Sequence, residues 1–295
     1  MSPNSKSVDD ILAKVDNLPT LPLVAMQVGE LVNDPRSTVA KVAQVMRRDP
    51  SLSAKVLRLV NSSYYAIPGG VSDVGRAISF VGFNSLYQLV LSVSVMQALR
   101  TPAGSQFDAG GLWLHSLAVG ACAEVLANHI GHKDPGTCFT AGLLHDIGKI
   151  ALAIADTDRF GEAIDRASAN GMPMASAEQE VGLPPHDRVG SRLAKRWKFP
   201  QELLLPIEHH HTHASPDLRR RVGKNTLAIV DIVAVADRLC RTFALGNSGS
   251  PAPEEPADDA LATIGLGPLD VDTIYSELMR RLEQSKTFLQ LVDAA

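Results

Sequence analysis

Three cysteines in 295 residues cannot build a disulfide framework. Cys122, Cys138 and Cys240 are isolated and odd in number, which fits small buried thiols in a reduced, cytoplasmic protein. Charge imbalance is also lacking: 28 basic residues against 32 acidic ones leave a formal net charge of -4 and a pI near 6.1. That removes any general electrostatic pull towards nucleic acid or an anionic membrane. The local exception, LRRRVGK at residues 218–224, reads as a solvated loop before a helix. There is no uninterrupted apolar run of about 18 residues, so no membrane span is expected. The opening MSPNSKSVDDILAKV lacks the apolar core of a signal peptide. No run of four or more residues alternates convincingly as a strand, and no internal repeat is visible.

Apolar spacing of period 3.6 fills most of the chain, which points to an all-α fold. The spacing predicts helices over 7–15, 23–31, 38–46, 52–59, 74–81 and 85–99, with Gly82 punctuating the last two. TPAGSQFDAGG at 101–111 reads as a hinge. Further helices are predicted over 112–130, 138–155, 158–170, 174–181, 186–197, 201–210 and about 225–243. The Pro- and acid-rich segment 246–259 reads as mobile. A terminal amphipathic helix follows at 272–292, with Ile274, Leu278, Leu282 and Leu289 on or near one stripe. The expected organisation is a helical lobe at 1–100, a second lobe at 101–245, and a linker with the terminal helix at 246–295.

Residues 140–155, TAGLLHDIGKIALAIA, set His145 and Asp146 inside an otherwise apolar helix. A buried carboxylate costs several kcal/mol unless something compensates it. A metal ion would do so, with the imidazole as a second ligand. Other segments supply more ligand-type side chains in apolar settings: His115, His186, the adjacent His209 and His210, and Asp237. Mixed imidazole and carboxylate donors suit Zn, Mn, Fe or Ni better than Ca or Mg. Seven candidates suffice for one ion or for two that share ligands, and two ions could activate a hydroxide and clamp a phosphate. Asp231 lies 237 − 231 = 6 residues before Asp237, about 240° round a helix, so only one of the two can face the site. Lys149, one turn after His145, reads either as a phosphate-neutralising charge or as a lysine reaching from the helix end to water. His129, His132, His211 and His213 fall at helix ends or in loops and read as solvated.

HSLAVGACAEVLA, AGLLHDIGKIAL, HDRVGSRLAKRWKFP and IEHHH, in that order, resemble the HD superfamily of metal-dependent phosphohydrolases. LPTLPLVAMQVGELVNDP, VAQVMRRDPSLSAKVLRLVNSSYY and GRAISFVGFNSLYQLVL narrow the resemblance to the HDOD domain, a bacterial signalling output module, over about 18–210. The resemblance implies a helical N-terminal lobe packed on an HD-like lobe. HDOD domains are regarded as regulatory relatives of HD hydrolases, and many have lost metal ligands. Here His115, His145 and Asp146 match the first HD ligands and Asp237 the distal one. His186, His209 and His210 match the additional histidines of the HD-GYP cyclic di-GMP phosphodiesterases, and Lys149 matches their HDIGK lysine. The GYP signature is missing, with HHHTHASPDL in its place, and Gly111 stands where some HD-GYP proteins have a carboxylate ligand. The resemblance thus implies a signalling module with a retained metal site, signalling proteins as partners and a nucleotide as candidate ligand. Its alternative is a metal-dependent phosphohydrolase acting on a nucleotide or cyclic dinucleotide, with Asp146 and Lys149 as the catalytic residues.

Overall fold

The computed structural model describes residues 3–101, 107–251, 261–267 and 270–293, and these contain helices and no strand. The all-helical expectation holds. The chain forms two compact units: Met1–Leu18 with Leu99–Leu278, and Pro19–Ala98 with Met279–Ala295.

The second unit is built from α2 (Leu23–Val32), α3 (Val39–Met46), α4 (Pro50–Val60) and α5 (Val74–Ala98). Thr38 caps α3 by accepting from Lys41 N, and Asp49 caps α4 by accepting from Leu52 N, with Pro50 preset for the first turn. Val28, Val42, Met46, Leu52, Val56, Leu59 and Leu86 close its core. Gly82, at φ 81° and ψ 170°, breaks α5 where the sequence places its punctuation, in a conformation that only glycine adopts without strain. The end of the terminal helix seals this core: Phe288 packs edge-on against Tyr64, and the Arg281 guanidinium lies 3.7 Å from the Tyr64 ring centre.

The first unit contains α1 (Pro3–Asp16), α6 (Ala109–His129), α7 (Pro135–Leu144), α8 (Ile147–Ala155), α9 (Thr157–Asn170), α10 (Met174–Glu180), α11 (His186–Arg196), α12 (Gln201–His209), α13 (Pro216–Arg221) and α14 (Lys224–Thr242). The terminal helix, α15 (Val271–Asp293), begins here, with Ile274 and Leu278 fully buried and Leu282 half-buried. The Leu289 side chain lies outside the described residues. Residues 115–127 of α6 are all buried, so this helix has no solvent face over that stretch.

Three helical stretches, Val74–Ala98, Ala109–His129 and Pro135–Ala155, are long and apolar enough to cross a membrane by length and composition. The search for unbroken apolar runs passes over them because isolated polar residues interrupt each one. Their most apolar windows are 50, 78 and 94% buried within the protein, so packing already takes up much of that apolarity.

Two expectations change. The predicted helix over 138–155 is two helices, α7 and α8, joined at His145 and Asp146, where Asp146 leaves helical geometry at φ -102° and ψ 17°. Of the predicted hinge, residues 102–106 lie outside the described residues, and Asp108 caps α6 by accepting from Gly111 N. Of the segment read as mobile, 252–259 lie outside the described residues, whereas 246–251 are pinned against the site described next.

Candidate metal centre

The break between α7 and α8 lets neighbouring residues serve one site. On a continuous helix their side chains would diverge by about 100°. Glycines on either side permit the approach of other elements. A methyl group on Gly142 would stand 2.8 Å from the backbone of Val119 and Gly120 on α6. One on Gly148 would overlap the His186 carbonyl oxygen and stand 2.7 Å from Gly190 N on α11. α6 and α11 are thereby drawn against the His145–Asp146 joint, while α12 packs on α7 and α14 on α6.

These contacts bring His115, His145, Asp146, His186, His210 and Asp237 together, each at most 4% exposed. Asp146 is the hub. Its Oδ1 lies 3.4 Å from His186 Nε2 and 3.6 Å from His210 Nε2, and its Oδ2 lies 3.3 Å from His145 Nε2. Asp237 Oδ1 stands 3.1 Å from His115 Nε2 and 3.7 Å from His145 Nε2. The far nitrogens of these rings are engaged by the protein. His145 Nδ1 faces Gly142 O at 2.7 Å, His210 Nδ1 faces Pro206 O at 3.0 Å, and His115 Nδ1 faces Leu245 O at 3.2 Å. A donor to each of those carbonyls must be N–H, which turns the Nε2 atoms inward.

Three of the inward atoms, His145 Nε2, Asp146 Oδ1 and His210 Nε2, are buried without a hydrogen-bond partner. Such groups are rare because each costs its full desolvation. Ligands about 2.1 Å from a tetrahedral ion are about 3.4 Å from one another. The separations round Asp146 are of that size, so the donor set fits a metal ion in composition and spacing. Two groups could each hold an ion: His115, His145 and Asp146, and His186, His210 and His211.

Burial pushes the His145 imidazole down, but Asp146 and Asp237 outweigh it and lift the group to about 9. Burial would raise both carboxyls, yet the charges of His145 and Lys149 hold Asp146 well below the usual range, and Arg241 with His115 and His145 does so for Asp237. His210 is lowered by burial first and by its histidine neighbours next. Two buried carboxylates therefore stay ionised, compensated by the positive charge of His145, Lys149 and Arg241.

The structure revises three sequence readings, those of His209, His211 and Lys149. His209 is not brought to the cluster: it is half-buried, with Nδ1 3.1 Å from Thr212 Oγ1. His211, read as solvated, is indeed exposed, yet its Nε2 lies 2.9 Å from His186 Nε2, so it and not His209 stands beside the cluster. The cause is the exit of α12, where 210 and 211 lie in a turn past the last helical residue: His210 is buried there, and His211 stays exposed while its ring edge reaches His186. His209→Ala should leave metal content unchanged, whereas His211→Ala should reduce it; elemental analysis of the two variants checks this, and the reverse order would restore the earlier assignment. Lys149 does not reach water. It is 2% exposed, and Nζ donates to Asp146 Oδ2 at 2.6 Å and to Ser248 O at 3.0 Å. Asp231 pairs with Arg219 and His213 away from the cluster, which leaves Asp237 to face it. Gly111 offers its carbonyl to Asn247 N at 2.8 Å.

That last contact belongs to a strap over the site, residues 245–251. Gly246, at φ 73°, lies so close to α6 that a Cβ would overlap His115 N. Asn247 Nδ2 donates to Asp108 Oδ2, and Arg241 donates to Pro251 O. Sequence reasoning also missed two charged residues behind the cluster. Arg241 Nε donates to Asp237 Oδ2 at 3.1 Å, and its i+4 spacing from Asp237 was the available signal. Glu178, fully buried on α10, faces His186.

A family model for the HDOD domain matches residues 18–213. The chain belongs to that family. Among solved structures, an HDOD domain protein of unknown function from Geobacter sulfurreducens is 25% identical, with a TM-score of 0.74 over 98% of this chain and 96% of that one. A Shewanella amazonensis SB2B protein, provisionally named a phosphohydrolase, is also 25% identical, with a TM-score of 0.72 over 97% of this chain and 98% of that one. An uncharacterised protein of Treponema pallidum (strain Nichols) is 23% identical over 77% of this chain and 44% of its own length. The chain spans less than half the length of the curated relatives it matches.

Proposed function

We propose that this HDOD-family chain is a signal-transduction output module organised round a divalent transition metal, Fe, Mn, Zn or Ni, held as one ion or two. The observation that carries the metal is the set of buried atoms without partners, His145 Nε2, Asp146 Oδ1 and His210 Nε2, gathered round the Asp146 carboxylate at 3.3–3.6 Å from its oxygens. His115, His145, Asp146 and Asp237 would hold one position, and His186, His210 and His211 the other. A bound divalent ion would supply Lewis acidity and a strong positive charge at Asp146.

The regulatory reading rests on how the remaining groups are committed. Lys149, the residue a phosphate would need, already spends donors on Asp146 and on the strap carbonyl of Ser248. The cavity that shares Asn247 and Gly249 with the strap holds about 650 Å³ and is lined by Asp108, Asp158, Glu162 and Asp165. Those carboxylates repel a phosphate ester. Signalling proteins are then the partners, and a nucleotide is at most a ligand that displaces the strap.

The phosphohydrolase reading keeps one observation of its own: two donor groups side by side, linked through the Asp146 carboxylate. A screen of metal-loaded protein against cyclic di-GMP, cyclic mononucleotides and a generic phosphodiester separates the two. No turnover is expected. Hydrolysis by wild-type protein that disappears in Asp146→Ala would establish the hydrolase instead.

A further inference from the structure

We infer that Glu178 is the positioning residue of the His186 metal position: it fixes the tautomer and direction of that imidazole and so makes this position distinct from the His115 one. The inference rests on the metal-centre reading above. Glu178 lies on α10 among the residues MASAEQE, and its carboxylate is fully buried. A carboxylate there must be compensated. It is, twice, by one residue. Oε2 accepts the His186 backbone N–H at 2.8 Å, and the carboxylate accepts from His186 Nδ1 at 2.9 Å.

The consequence is chemical. A carboxylate accepts and does not donate, so Nδ1 must carry the ring hydrogen. His186 Nε2 then holds its lone pair towards Asp146 Oδ1, 3.4 Å away, and His211 Nε2, 2.9 Å away. A carboxylate behind a ligating imidazole also makes it a stronger donor. The other position is backed differently. Its carboxylate, Asp237, is held by the Arg241 guanidinium, which draws negative charge away from the ligand. One position is thus enriched in electron density and the other depleted. Nothing in residues 178–186 announces this by spacing; the loop 181–185 folds Glu178 back over the start of α11.

Glutamine at 178 keeps the size but presents one acceptor and one NH₂ group to two N–H donors. One donor loses its partner, and the ring is free to take the other tautomer. The test is titration of metal-free full-length protein with Mn²⁺ alone, read by electron paramagnetic resonance, together with ¹⁵N NMR of the His186 ring before metal is added. Glu178→Gln is expected to weaken one Mn²⁺ position by roughly 10–100-fold while the other holds its affinity, and to shift the ring away from the Nδ1–H form. Glu178→Asp should recover part of the affinity, and Glu180→Gln, on the exposed side of the same helix, should change nothing. Wild-type affinities and an unchanged ring tautomer in Glu178→Gln would overturn the role of Glu178 and leave the metal centre standing. Wild-type protein that takes up none of Mn²⁺, Fe²⁺, Ni²⁺ and Zn²⁺ would remove the metal reading, and this role with it.

Discussion

Asp146→Ala is expected to strip the centre of metal and to destabilise the fold even without metal. The side chain touches His145, His186, His210 and Lys149, so its loss disconnects both donor groups at once. With metal present at about 100 times its Kd, loss of binding alone removes about 2.7 kcal/mol of stability. Without metal, Lys149 would remain buried with Ser248 O as its described acceptor. A buried charge deprived of its counter-charge costs about 3–5 kcal/mol. These two effects separate in a double variant. Asp146→Ala with Lys149→Met should regain most of the metal-free stability and none of the metal. Denaturant unfolding of wild type, the single and the double variant, with and without chelator, gives the comparison. If the single variant unfolds at the wild-type midpoint in chelator, the buried ion pair is not what compensates this lysine.

Gly148→Ala should be as damaging by an unrelated route. The added methyl would overlap the His186 carbonyl oxygen and press on Gly190 N, both of them backbone atoms that cannot rotate away. Helices α8 and α11 must separate. Overpacking costs typically 1–3 kcal/mol, and a clash with backbone on both sides belongs at about 3 kcal/mol or above. The same displacement carries His186 away from Asp146, so the melting temperature and the metal content should fall together. Gly161→Ala, where a methyl meets nothing within 4 Å, is the matched control and should be close to neutral. A Gly148→Ala protein with wild-type melting temperature would mean that the two helices are not held this closely in solution.

Much of this centre is legible in the sequence, because buried histidines and carboxylates stand out in apolar helices. His115, His145, Asp146, His186, His210 and Asp237 are all singled out that way and lie together in the fold, and of the two carboxylates set about 240° apart only Asp237 joins them. What escapes depends on non-helical backbone. Whether His209 or His211 joins His210 depends on how the chain leaves α12, and the HHH run gives no sign of it. The helix break at His145 is hidden because residues 140–155 keep an apolar pattern straight through it. Lys149 is misjudged because its second acceptor is a main-chain carbonyl from a Gly- and Ser-rich stretch that composition alone reads as mobile. Glu178 sits among polar and small residues that look like a solvent face, and only the fold shows the carboxylate turned inward. The division of the chain has the same origin. Long-range packing assigns Met1–Leu18 to the first unit and the end of the terminal helix to the second, and no local pattern encodes either.

The central claim is that the inward-facing atoms of this cluster are metal ligands. Anomalous scattering from crystals of the protein purified without chelator, recorded on both sides of the absorption edge of the metal found in the sample, tests it most directly. The account predicts one or two edge-dependent peaks about 2.0–2.2 Å from His145 Nε2, Asp146 Oδ1 and His210 Nε2. A map without such a peak, from protein also soaked in Mn²⁺, Fe²⁺, Ni²⁺ or Zn²⁺, with water hydrogen-bonded to those three atoms, would contradict it.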